Sequence, residues 1–235
     1  MRKTSAGELT RQEVRIPVAG ILLEGELVIP MHPVGIVLFA HGSGSSRMSP
    51  RNRAVADVLH RAHLATLLFD LLTAEEEAVD DVSGRLRFDV DLLTRRLIAA
   101  TDWVAHYPDT RLLPIGYFGA STGAAAALAA AAVRGDAVAA VVSRGGRPDL
   151  AGRWLPRVIA PTLLIVGDQD ATVVALNRVA LAELLGEARL EIVPGATHLF
   201  EEAGALEHVA RLASDWFARY LPRRAVTGAM QTPAW

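Results

Sequence analysis

Five short, almost unbroken apolar runs constrain this chain more than any other feature. They are "GIVLFA" (35–40), "ATLLFDLL" (65–72), "LPIGYFGA" (113–120), "AVAAVV" (137–142) and "PTLLIVG" (161–167). Each is too short for a buried helix and lacks alternation, as expected of strands covered on both faces. Helical segments separate them. Ser49 caps one, with Pro50 at its first position and Val55, Val58 and Leu59 at helical spacing. An amphipathic helix is expected from about Phe88 to His106, an alanine-rich one after Ser121, and two more over 173–185 and 204–221. Strands alternating with helices predict an α/β fold, a mostly parallel sheet with helices on both faces. Residues 13–30 differ: they alternate apolar and polar, which reads as a half-buried hairpin turning near Ala19 and Gly20.

The segment "TAEEEAVDDVSGRLR" (73–87) is acidic, then basic, and reads as a surface excursion that caps or rims a site. No repeat or boundary divides the chain. A single domain is expected over 1–235, with a core of about 13–221 and flexible tails, the C-terminal one starting after Pro222.

The formal net charge of −2 offers no basic field to nucleic acid or an anionic membrane. The chain has no cysteine, which removes disulfides, thiolate zinc sites and a thiol nucleophile. No signal-peptide core follows the N-terminus and no apolar run is long enough to span a bilayer. A cytoplasmic protein with no membrane or nucleic-acid partner is expected.

"GASTG" (119–123) joins a strand to a helix. In that context G-x-S-x-G forms a nucleophile elbow: a tight turn lifts the serine hydroxyl clear of the sheet, and flanking side chains would strike neighbouring backbone. The alanines that follow let the helix sit close to the sheet and favour the helix itself. Serine needs a base, and the base needs a carboxylate to orient it. The expected chain order is serine, acid, histidine. His208 reads as a surface residue inside the last helix, whereas His198 sits in the loop "PGATHLF", at the sheet edge where ligands bind. "VGDQD" offers Asp168 and Asp170; Asp168 suits the turn itself, and Asp170 reaches farther. Ser121, Asp170 and His198 are therefore the expected catalytic residues. The oxyanion donors are expected to be the backbone N–H of Thr122 and that of Ser43 or Gly44, in the loop "HGSGSS". That loop lacks the spacing of a phosphate cradle.

"FAHGSGSS", "GASTG", "IVGDQD" and "PGATHLF", in that order, resemble the α/β-hydrolase superfamily and, within it, the dienelactone-hydrolase-like group of small bacterial enzymes. The resemblance covers about residues 35–221. It implies an α/β-hydrolase fold with an eight-stranded, mostly parallel sheet, a Ser121-Asp170-His198 triad, and no metal or organic cofactor. Dienelactone hydrolases proper use a cysteine nucleophile, and this chain has Ser121 instead, which argues against true dienelactone turnover. Dehalogenases and epoxide hydrolases of the superfamily carry aspartate at the elbow and are disfavoured.

The reading that follows is a serine hydrolase of small carboxylic esters acting through an acyl-enzyme on Ser121. One alternative is a lactone or thioester hydrolase with the same machinery; another is a non-catalytic binding protein on the same fold. The excursion at 73–87 is too short for a large lipase lid, so small soluble substrates are expected. Arg144 and Arg147, in "SRGGRPDL", and His41 are candidate substrate contacts. An arginine fork suits a carboxylate or phosphate; the structural alternative is an ion pair with Asp70, Glu75 or Glu76.

Overall fold

The computed structural model describes residues 9–221 and, by their backbone, residues 2–4. The expected C-terminal tail lies outside the described residues. The strands are β1 (Arg2–Thr4), β2 (Leu9–Val18), β3 (Ile21–Ile29), β4 (Gly35–Ala40), β5 (Leu64–Phe69), β6 (Ile115–Ala120), β7 (Val138–Arg144), β8 (Thr162–Gly167) and β9 (Ala188–Val193). They form one sheet in the order β1-β2-β3-β5-β4-β6-β7-β8-β9. Strands β2–β9 are the eight expected, and β1 adds a short edge strand. The β1, β2 and β3 pairings are antiparallel. All pairings from β5 to β9 are parallel.

Local chemistry explains the elements. Ala19 and Gly20 both have positive φ, 45° and 88°, as a tight two-residue hairpin loop requires. Every residue of β4, β5, β6 and β8 is buried, which is why those runs do not alternate. Helix α1 (Pro50–Arg61) begins as the sequence predicts, its Ser49 hydroxyl accepting the Asn52 N–H at 3.3 Å.

Helix α2 (Ala74–Ser83) is one that apolar periodicity does not predict. It forms because Thr73 and Glu76 close a capping box and three glutamates occupy its positive first turn. Its signal, T-x-x-E, stands in the sequence. Helix α3 (Val90–His106), α4 (Thr122–Arg134), α5 (Ala171–Glu183) and α6 (Ala205–Tyr220) complete the set, and a kinked 3₁₀ segment spans Pro148–Arg157.

Two cores result. Helices α3 and α4 cover one face, where Leu97, Leu128 and Tyr117 meet Leu38 and Leu67. On that face the Thr101 hydroxyl donates to the Leu97 carbonyl at 2.8 Å, so the Tyr117 hydroxyl, 2.5 Å away, donates to Thr101. Helices α1 and α6 cover the other face, where Phe39 and Phe118 stack at 4.9 Å beside Phe217 and Leu59. Helix α4 is completely buried from Ala124 to Ala131. Larger side chains there would overpack the sheet.

Candidate active site

The parallel strands end along one edge, and each expected catalytic residue lies past the end of a strand. Ser121 follows β6 with φ 50° and ψ −121°, a left-handed conformation that is strained for a residue bearing a Cβ. The flanking glycines are required by contact. A Cβ at Gly119 would stand 2.4 Å from the Ala124 Cα, and one at Gly123 would stand 2.1 Å from the Ala40 carbonyl oxygen. No larger residue fits either place without moving backbone.

His198 sits in the loop after β9, and its Nδ1 lies 2.7 Å from Asp170 Oδ2. Asp170 is held from the other side, since it also caps α5 by accepting the Val173 N–H at 3.4 Å. Asp168 serves the loop instead. Its Oδ1 accepts the Gly195 N–H at 2.8 Å and fixes the start of the histidine loop. Gly167 permits that packing, because a Cβ there would stand 2.2 Å from the Ala196 carbonyl oxygen. Gly145 lies against the histidine loop with a φ of 51°, and a Cβ there would stand 3.1 Å from the His198 carbonyl oxygen. In the sequence this Gly145-Gly146 pair reads only as the end of a strand.

With Nδ1 facing a carboxylate, the His198 proton sits there and Nε2 is left as the basic nitrogen. Among the described residues no hydrogen bond joins the Ser121 hydroxyl to His198. Catalytic contacts of this kind often tighten only when substrate is bound.

The loop after β4 packs on the elbow, with a Cβ at Gly42 reaching 3.0 Å from the Ser121 Cβ. The Ser43 N–H donates to the Thr122 hydroxyl at 3.0 Å, which ties the two expected oxyanion segments together. Gly44 has a φ of 66° that glycine adopts without strain. His41 cannot serve as a polar substrate contact. Its Nε2 accepts the Leu71 N–H at 2.9 Å, so Nδ1 carries the proton and donates to the Gly42 carbonyl at 3.0 Å. Burial lowers its pKa, so the ring stays neutral and anchors the loop.

A cavity of about 250 Å³ opens beside this loop. Ser43, Gly44 and Thr122 line one wall, Leu71, Leu72 and Leu93 another, and Glu77 and Arg87 close it from the excursion. Ser121 and His198 do not line it; Thr122, the residue after Ser121, does. The excursion therefore roofs the cavity, as a rim rather than a large lid.

The arginines part company. Arg147 is engaged by Asp149, its Nε at 2.9 Å and Nη2 at 2.7 Å from the carboxylate, so its fork is already filled. Arg144 pairs with no carboxylate among the described residues. Two of the acids expected as its structural partners are engaged elsewhere, Asp70 by Arg47 and Glu76 by Arg96. Among the described residues no group of three or more acidic, histidine or cysteine side chains could hold a metal ion.

The dienelactone hydrolase family matches residues 54–221. Two Mycobacterium tuberculosis proteins, named provisionally as phosphoribosyl transferases, are 58% identical over 213 residues. That match takes in 91% of this chain but 47% of theirs, so the chain spans about half the length of the curated relatives it matches. A crystal structure of a dienelactone hydrolase from Anabaena variabilis superposes with a TM-score of 0.89 at 60% identity, over 91% of this chain and 99% of that one. Est1E from Butyrivibrio proteoclasticus shares the fold at 17% identity, with a TM-score of 0.74 over 88% of this chain and 98% of its own.

Proposed function

The chain belongs to the dienelactone hydrolase family, and from that premise we propose that it is a serine hydrolase cleaving small carboxylic esters. The observation that carries the reading is the His198–Asp170 contact at 2.7 Å, set at the strand edge where Ser121 stands in its left-handed turn. Ser121 Oγ attacks the ester carbonyl while His198 Nε2 takes its proton. Asp170 holds the ring through Nδ1–H and stabilises the imidazolium that forms.

The developing oxyanion is received by the Thr122 N–H and by that of Gly44, since the Ser43 N–H is taken by the Thr122 hydroxyl at 3.0 Å. A single such donor typically contributes about 3–4 kcal/mol to the transition state. His198 then protonates the departing alcohol, and water repeats the sequence on the acyl-enzyme. The cavity beside the oxyanion segments favours short acyl or alcohol groups, since sites for drug-sized ligands run to roughly 300–1,000 Å³.

A panel of p-nitrophenyl acetate, butyrate and decanoate, with a lactone and a thioester of matched acyl length, tests this. Turnover is expected to be fastest on the short esters and to vanish in Ser121→Ala. Preference for the lactone or thioester would move the assignment to that alternative. No turnover above that of Ser121→Ala would overturn the reading.

A further inference from the structure

Arg144 ends β7 inside the protein, 7% exposed. Its Nε and Nη1 are buried and make no hydrogen bond among the described residues. The charge that acts on it is that of Arg51, which repels it. Burial, and after it that repulsion, bring its pKa down to about 10, so it still carries its proton at neutral pH. Its guanidinium carbon lies 6.0 Å from the centroid of the Phe200 ring, a cation–π contact.

Arg51 repeats the pattern in part. Its Nε is buried without a partner, while its Nη1 reaches Glu201 at 3.1 Å. It lies in the first turn of α1, where the helix dipole adds positive potential. A buried guanidinium serving structure alone finds a carboxylate or carbonyl, because leaving its donors bare is costly. Here two cations lie close enough to repel each other, each keeps a buried donor unmet, and Glu201 meets only the Nη1 of Arg51.

We propose that Arg144 and Arg51 form a binding site for a small oxyanion, a carboxylate or phosphate group, against the Phe200 turn. Arg144 is the main ligand and Arg51 the secondary one, shared with Glu201. The site adjoins the proposed chemistry. The Arg144 carbonyl accepts the Ser121 N–H at 3.2 Å, and Phe200 stands two residues beyond His198 with a φ of 57°. The anion comes either from free solution or from the substrate itself; only the second source rests on the hydrolase reading.

Inorganic phosphate titrated into the full chain at constant ionic strength tests the site. The melting temperature of the parent protein should rise saturably. Half-saturation should need at least tenfold more phosphate in Arg144→Gln and several-fold more in Arg51→Gln. The source is read by comparing monosuccinate and butyrate esters of one alcohol. If the substrate supplies the anion, both variants cut the succinate-to-butyrate ratio of kcat/KM by about tenfold or more, and phosphate competes with the succinate ester alone. If the anion is free, the ratio holds while phosphate binding is lost.

A parent protein that shows neither a saturable phosphate response nor a variant-sensitive ester ratio overturns the site. So does a response unchanged in both variants. Arg51→Gln, at a partly exposed position, decides the matter if Arg144→Gln does not fold. Covalent labelling of Ser121 by a fluorophosphonate reports separately on the hydrolase reading: labelling without an anion response removes only this site, and the converse removes only that reading.

Discussion

Two groups of arginines flank the carboxyl edge of the sheet, and they are built in opposite ways. Over the cavity, Arg47 is paired with Asp70, Arg96 with Glu76, and Arg87 with Asp80 and Asp81. Asp80 also accepts the Leu86 N–H at 2.6 Å, which leaves little of its bonding capacity free. Beside Phe200, Arg144 has no such partner. The difference separates two uses of charge. On the roof, charge holds a short helix and its loop in place over a cavity. On the histidine side, the buried Nε and Nη1 of Arg144 are left unpaired. Asp170 belongs to this second side, since its carboxylate faces an imidazole whose other nitrogen is free to react.

Substitutions on the two sides should therefore fail differently. The largest effect is expected at Asp170. Asp170→Asn still caps α5 but leaves the imidazole in the wrong tautomer, so kcat should drop by about 10⁴-fold. The melting temperature should stay close to that of the parent. An active Asp170→Asn, assayed on a short ester, would break the comparison. On the roof the pattern reverses: Asp80→Ala strands Arg87 and frees the 84–88 loop. The melting temperature should fall by roughly 5–10 °C, with a far smaller loss of kcat per folded molecule than in Asp170→Asn. A calorimetric scan beside an assay separates the two outcomes.

The far edge offers a smaller, pH-dependent effect. His60 hydrogen-bonds Thr66 at 2.7 Å and is buried, which lowers its pKa to about 4. The unfolded chain takes up this proton near pH 6.5 and the folded chain does not until about pH 4. Stability from this group is thus complete above pH 6.5 and is lost as pH falls through that window, by up to about 3 kcal/mol. His60→Gln should flatten that slope in urea titrations between pH 7 and pH 4; an unchanged slope would place the effect elsewhere. Smallest is Thr122→Val. It removes the acceptor of the Ser43 N–H, and the loosened segment should lower kcat about fivefold with KM unchanged. A rise in KM alone would mean that Thr122 contacts substrate and not the oxyanion segment.

Much of this architecture is legible in the chain because local chemistry decides it. The buried runs, Ser49 before Pro50, and the Ala19–Gly20 turn depend on neighbours a few residues away. So does the crowding at Gly119 and Gly123, which follows from the sharpness of one turn. Asp170 is preferred to Asp168 on reach alone, and the structure puts Asp170 against the imidazole. Helix α2 is legible too, through Thr73 and Glu76, but periodicity hides it because its apolar content is low.

What is not legible depends on partners remote in sequence. The sequence cannot show that His41 engages backbone through both ring nitrogens, one of them 30 residues away at Leu71. Nor can it show that Arg144 finds no carboxylate, although the Asp149 that engages Arg147 lies only five residues along the chain. An arginine reads alike in both places, and only the packing of β7 against the Phe200 turn tells them apart.

The central claim is that the hydroxyl of Ser121 is an activated nucleophile. Incubation of the folded protein with a fluorophosphonate, followed by peptide mass spectrometry, tests it most directly. One adduct per chain on the peptide containing Ser121 is predicted, abolished by Ser121→Ala and slowed by His198→Ala. Folded protein that stays unlabelled, or that carries the adduct on another residue, would contradict the account.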